Sequence, residues 1–304
     1  MTKTTALLRT ACYGAVILLL LLLCGPPALL AFHRPPPAPV QKSALTPAPD
    51  AKPTKPAKPA TRAAADGFVP APPGGPLYDT LTVNRRRASN LPTELPAAVP
   101  YYGERTVYLT FDDGPDPDVT PDVLRILRQA GVPATFFVVG LEAEKSPDLL
   151  RQIYRDGHAI GNHSYNHVYR DLYRSPAAYT AQLRRTDDIL MKHLGVRPRI
   201  SRAPGGSAGS FTDAYWSALA TEGYRDIGWN VSAEDASRAN GAEIAATVVR
   251  QMDDGKYLWS HAIVLMHDGR GHEETARALP AIIKYFKDRN FEFRVVNLET
   301  PPAW

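Results

Sequence analysis

Thr110-Phe111-Asp112-Asp113-Gly114-Pro115-Asp116-Pro117 sets two adjacent carboxylates where an apolar run breaks into a turn. The residues leading into it, Thr106-Val107-Tyr108-Leu109-Thr110-Phe111, are β-branched and aromatic and predict a strand, while Gly114-Pro115 stops that strand from continuing. Asp112 and Asp113 therefore stand at a strand's C-terminal end. Neighbouring carboxylates repel each other and are costly to desolvate, so a positive group is expected to hold both ionised, and a bound cation meets that need.

The chain that follows alternates. Val119 to Ala130 carries Val123, Leu124, Ile126 and Leu127 at helical spacing and ends at Gly131; Pro133 to Val139 is a short strand with no polar face, as in a buried parallel sheet. Ser146-Pro147-Asp148 opens a helix stopped by Gly157, and Ser175-Pro176 opens a longer one closed by Gly195. Further strands are predicted near residues 158–162, 199–201, 224–231, 262–266 and 292–296, separated by helices near 213–222, 242–253 and 273–288. This order predicts an α/β fold: a deformed or incomplete parallel (β/α) barrel, in which loops after the strands gather on one face. Asp112 and Asp113, His163 and His167, Arg202, Asp235, and His267 with Asp268 all fall just after predicted strands.

Each of these groups suits a chemical task. His163-Ser164-Tyr165-Asn166-His167 spaces two imidazoles by four, so both can face one ion, and a carboxylate from Asp112 or Asp113 completes three ligands with a position left open, as in catalytic zinc-type sites. A calcium loop through Asp112, Asp113, Asp116 and Asp118 lacks the alternating-oxygen spacing and leaves the histidines idle. His267, between an apolar strand and Gly269, can donate a proton if it faces the metal without ligating it. Arg202-Ala203-Pro204-Gly205-Gly206 joins a guanidinium that can fix an ionised Asp to a backbone N–H that can stabilise an oxyanion. His158 reads as a buried, satisfied histidine; His33, His193, His261 and His272 have no companions.

Composition divides the chain into three. Residues 1–32 are membrane-like: no charge lies between Arg9 and His33, and Ala15 to Leu23 is unbroken aliphatic sequence. That predicts a signal-anchor or a signal peptide; Pro26-Pro27 and the poor cleavage site at Leu29-Leu30-Ala31 favour an uncleaved anchor with the rest of the chain outside. A lipoprotein cysteine at Cys24 is disfavoured by Leu21-Leu22-Leu23. Residues 33–100 hold 16 of the 29 prolines and nine Lys/Arg against four Asp/Glu, which predicts a basic, largely disordered spacer. Residues 101–304 keep 24 basic and 27 acidic residues, so the predicted catalytic domain is not basic and a nucleic-acid partner is excluded. Both cysteines, Cys12 and Cys24, lie in the apolar segment, so any metal in the domain is held by Asp, Glu and His, as suits Zn, Co, Mn or Mg.

Taken in order, Thr-Phe-Asp-Asp-Gly-Pro, His-Ser-Xaa-Xaa-His, Arg-Xaa-Pro-Gly-Gly, an Asp after a Trp-bearing strand and Leu-Met-His-Asp resemble the polysaccharide deacetylases of carbohydrate esterase family 4, the NodB-type homology domain, over about residues 104–298. The resemblance implies Asp112 as general base, Asp113, His163 and His167 as ligands of a divalent ion, chiefly Zn2+, and His267 as general acid. It implies that Arg202 orients Asp112, that the Gly205 N–H completes the oxyanion site, and that Leu265 lines the acetyl pocket. The family's fourth-motif Asp corresponds to Asp235, with Asp226 a less favoured alternative; Ala236 stands where an aromatic is usual, leaving Trp229 or a loop residue to form that wall. The implied activity is removal of N-acetyl groups from a glycan, and the anchor and spacer direct it to peptidoglycan N-acetylglucosamine. An exopolysaccharide, chitin oligomers or xylan are alternative substrates, and an inactive metal-holding glycan-binding module is the alternative outside enzymes. A metallophosphoesterase would want more ligands for a second ion.

Overall fold

The computed structural model describes residues 67–69 and 74–303. The chain runs through β1 (Phe68–Val69), β2 (Tyr78–Asp79), α1 (Val83–Ala88), β3 (Thr106–Asp112), α2 (Thr120–Ala130), β4 (Thr135–Val138), α3 (Gly140–Lys145), α4 (Pro147–Arg155), β5 (Ala159–Asn162), α5 (Tyr169–Leu172) and α6 (Pro176–Leu194). It continues through β6 (Arg197–Pro198), β7 (Ile200–Ser201), α7 (Asp213–Thr221), β8 (Arg225–Asp226), β9 (Val231–Ser232), α8 (Gly241–Asp254), β10 (Ala262–His267), α9 (Glu273–Asp288) and β11 (Glu292–Phe293). Local chemistry explains the helix ends: Pro opens α4 and α6, the Ser175 side chain accepts from Ala178 N, Asn240 and Glu243 form a capping box on α8, and Gly131 and Gly195 close α2 and α6 in the left-handed region.

The main sheet is all parallel, in the order β8-β7-β5-β4-β3-β10-β9, with β11 joined to the start of β3. Curled, it forms the deformed barrel that the alternation predicts. Side chains alternate across it. Val107, Leu109 and Phe111 of β3 pack outward with Leu124, Leu127, Leu279 and Ile282 of the helices. Tyr108 points the other way, into an inner cluster with Phe137, Ile200, Ile227 and Ile263. By the same period of two, Thr110 and Asp112 follow Tyr108, and Leu265 and His267 follow Ile263, onto the inner face at the C-terminal end. Parallel register brings the two strand ends level, His267 opposite Asp112.

The single strand expected over 224–231 is corrected to two short ones at opposite ends of the sheet order. Between them the chain crosses the barrel's seam. The carbonyls of Ile227 and Gly228 accept from Arg202 Nε and Nη2, both at 2.9 Å, so a side chain takes acceptors a sheet ladder would have used.

The boundary expected at residue 100 is also corrected. β1, β2 and β6 form a second, antiparallel sheet, and α1 follows it, so part of the supposed spacer belongs to the folded unit. Asp79, fully buried, accepts from Arg86 Nε at 2.5 Å and Arg199 Nη1 at 2.8 Å, and Arg197 Nη2 lies 3.4 Å away; all three arginines are fully buried. Tyr78 Oη accepts from the Ile160 N–H at 2.8 Å. Arg197 and Arg199 come from more than a hundred positions away, which is why local composition reads the segment as tether. No helix among the described residues is long and apolar enough to cross a membrane; the segment 1–32 and the Lys-Pro repeats of 52–59 lie outside the described residues.

Candidate active site

Asp112 and Asp113 share a turn but not an environment. Asp112 is buried, and its Oδ1 accepts from Arg202 Nη1 at 2.9 Å; the same nitrogen donates to Thr110 Oγ1 at 2.7 Å. Burial raises the Asp112 pKa, opposed by the charges of Arg202 and His267. Asp113 adopts a φ of +77°, a left-handed conformation that costs a non-glycine residue about 1–3 kcal/mol and collects at functional sites. Its side chain turns to the histidines: Oδ1 lies 3.5 Å from His163 Nε2 and 3.3 Å from His167 Nε2.

These three residues form the one group of His, Cys, Asp and Glu among the described residues whose donor atoms converge as a metal site requires, all within 4.8 Å of one another. Their chemistry fits a divalent ion. Asp113 Oδ1 is buried with no hydrogen-bond partner, an orphan acceptor that a cation would satisfy. His163 Nδ1 lies 2.8 Å from the Arg202 carbonyl; donating there leaves Nε2 with its lone pair toward Asp113. Burial lowers the His163 pKa to about 3, which keeps the ring neutral as a ligand must be. His167 also holds a positive φ, +55°.

Across the mouth, His267 Nδ1 lies 2.9 Å from Asp235 Oδ1, and Asp235 Oδ2 accepts from the His267 backbone N–H at 2.8 Å and from Thr275 Oγ1 at 2.7 Å. Burial works against a charged His267, but the hydrogen bond and charge of Asp235, with the charges of Asp112 and Asp113, lift its pKa to about 9. The Asp235 pKa is lowered: its bonds to His267 and Thr275 outweigh burial. Leu265 is buried but belongs to none of the hydrophobic clusters, consistent with its place on the inner face beside His267.

Arg202, Gly205 and Trp229 converge at the seam. The Arg202 guanidinium lies 4.2 Å over the Phe137 ring and 5.7 Å from Trp229. Gly205 is exposed, and its N–H makes no hydrogen bond among the described residues. Asp226 takes a different place from Asp235: its Oδ1 accepts the Ala203 N–H at 3.0 Å and holds the 202–206 loop, and burial lifts its pKa to about 6. Ala236 is exposed, and the half-buried Trp229 ring is the aromatic group packed against Gly206.

Several neighbours take places that sequence reasoning did not assign them. Asp268 is buried, its Oδ2 accepts from Thr120 Oγ1 at 2.6 Å, and a Cβ at Gly114 would strike its carboxylate, so it clasps the turn after Asp113. Burial raises its pKa to about 7. His272, expected to stand alone, stacks on His267 at 4.9 Å. Tyr169, two residues after His167, lies over Gly205. His158 is buried as expected and its Nδ1 accepts the Ala134 N–H at 3.2 Å, but it is not fully satisfied: its buried Nε2 has no hydrogen-bond partner among the described residues.

A family model described as polysaccharide deacetylase matches residues 101–227. A chitooligosaccharide deacetylase of Bradyrhizobium sp. (strain ANU 289) is 35% identical over 209 residues, covering 62% of this chain and 88% of that protein. The chain belongs to the polysaccharide deacetylase family, hydrolases that act on N-acetyl amides. Among more particular relatives, a peptidoglycan-N-acetylglucosamine deacetylase of Bacillus cereus is 34% identical over 202 residues, 64% of this chain and 87% of that one. A family 4 carbohydrate esterase of Streptococcus mutans superposes with a TM-score of 0.57 at 33% identity, covering 71% of this chain and 91% of that structure. A polysaccharide deacetylase of Bacillus cereus does so with 0.58 at 27% identity, over 65% and 94%.

Proposed function

We propose that this enzyme deacetylates N-acetylglucosamine in peptidoglycan, with a divalent ion, Zn2+ in the first place and Co2+ or another as substitutes, held by Asp113, His163 and His167. The observation that carries this reading is the meeting, at one barrel mouth, of a His/Asp donor set with a buried, Arg-bound carboxylate and a carboxylate-bound imidazole. An ion in that donor set supplies Lewis acidity when bound.

The chain's own residues divide the remaining work. Arg202 fixes the Asp112 carboxylate and opposes the rise in its pKa that burial causes. Asp112 takes a proton from water as the water oxygen attacks the acetamide carbonyl carbon. Gly205 N–H donates to the carbonyl oxygen as it gains charge. His267, its Nδ1 held by Asp235, gives the Nε2 proton to the sugar nitrogen as the C–N bond breaks, leaving acetate and a free amine. Leu265 and Trp229 border the space for the acetyl methyl.

The choice of substrate is supported by sequence outside the barrel. The uncharged run between Arg9 and His33 anchors the chain in the cell membrane with the enzyme outside, and the proline-rich stretch after it spans toward the wall. A second reading, chitin oligomers, is favoured by the name of the Bradyrhizobium relative. Acetate release measured in parallel on isolated peptidoglycan, chitin oligomers and acetylated xylan tests the choice. Release from peptidoglycan at the highest kcat/KM supports it; release from chitin oligomers or xylan with none from peptidoglycan would refute it.

A further inference from the structure

We propose that Tyr169 is a further catalytic residue of this site, its hydroxyl donating to the acyl oxygen as that oxygen gains charge. The inference rests on the deacetylase reading above and starts from what surrounds Gly205. That residue holds a φ of +73°, and a methyl at its Cα would sit 2.7 Å from Tyr169 Oη, so the phenol occupies the space that a side chain at 205 would fill. The Tyr169 ring is also 5.5 Å from the His167 ring. One side chain therefore borders both the candidate metal ligands and the candidate oxyanion donor, the two groups between which the acyl oxygen has to lie.

Its placement is held by neighbours. Tyr173 follows at the end of α5, donates to the Pro204 carbonyl at 2.5 Å, and meets the Tyr169 ring edge-on at 5.9 Å. α5 is thereby tied to the 202–206 loop. The Tyr169 hydroxyl makes no hydrogen bond to another described residue, and the residue is 51% exposed, so the hydroxyl is free to donate at the mouth. A phenol whose only role was packing would not need that hydroxyl; a phenol beside the unpaired Gly205 N–H adds a second donor to the same oxygen.

The test is Tyr169→Phe in the full-length enzyme, with steady-state acetate release from N-acetylglucosamine oligomers and bound metal measured together. The expected result is a kcat lower by about 10²-fold, with KM changed by no more than about twofold and metal content as in the wild type. Turnover equal to wild type would overturn the proposal. So would a rise in KM alone, which marks a ground-state contact, or a loss of metal, which marks an effect through His167. Tyr169→Ala should be at least as slow as Tyr169→Phe; a faster Ala variant would also overturn it. If the wild-type enzyme releases no acetate from any glycan, both the reading of the site and this inference fall, whereas equal release by wild type and Tyr169→Phe removes this inference alone.

Discussion

In the proposed mechanism His267 keeps its proton because Asp235 lies against Nδ1, and that contact should set the basic limb of the pH–rate profile. A raised pKa means that the acid form is present below about pH 9 and lost as pH rises through that value. Asp235→Asn removes the carboxylate charge, so the limb should move to lower pH in a kcat/KM profile; an unmoved limb would show that another group titrates there. The two neighbouring aspartates should separate in the same way. Asp112→Asn should bind metal and lose turnover by about 10²–10⁴-fold, while His163→Ala should lose metal as well, measured as bound zinc per chain beside acetate release. Equal metal content and equal activity in the two variants would contradict the assignment. Much at this scale was legible in advance, since doublet Asp, paired His and His-Asp all sat after apolar runs. Tyr169 was not, and Asp226 was weighed only as an alternative to Asp235 and not as the residue that holds the 202–206 loop, because both placements depend on which loop folds over Gly205, and no spacing in the chain encodes that.

At the scale of elements, β1, β2 and α1 behave as a clasp on the barrel. Asp79 is the shared acceptor of three buried guanidiniums, and Asp187 faces Arg197 from α6 at 3.3 Å. Removing one partner from such a group leaves buried charge uncompensated, so Asp79→Asn should cost about 3–5 kcal/mol in urea unfolding. A change below 1 kcal/mol would mean that water relieves the cluster. A fragment starting at residue 101 should likewise melt below one starting at residue 67. Strong helical signals were readable from their apolar spacing, caps and glycine stops, as α6 and α8 illustrate. The clasp was hidden by the prolines around it, and α3 and α5, six and four residues long, are too short to show a period.

At the scale of the whole molecule, the parallel sheet brings Asp112 and His267 into register on adjacent strands, and the seam between β8 and β9 admits Arg202 and Trp229 to the same mouth. In the function proposed above, delivery to the wall depends on an anchor before residue 33. Deleting residues 1–32 should move the protein from the membrane to the soluble fraction while leaving kcat on soluble oligomers unchanged; a membrane-bound deletion variant would contradict the anchor. The most direct test of the central claim is acetate release from peptidoglycan by the full-length enzyme before chelation, after removal of metal, and after zinc is restored. Loss on chelation is expected, with recovery that rises with zinc to one equivalent per chain. Undiminished release from metal-free enzyme would contradict it.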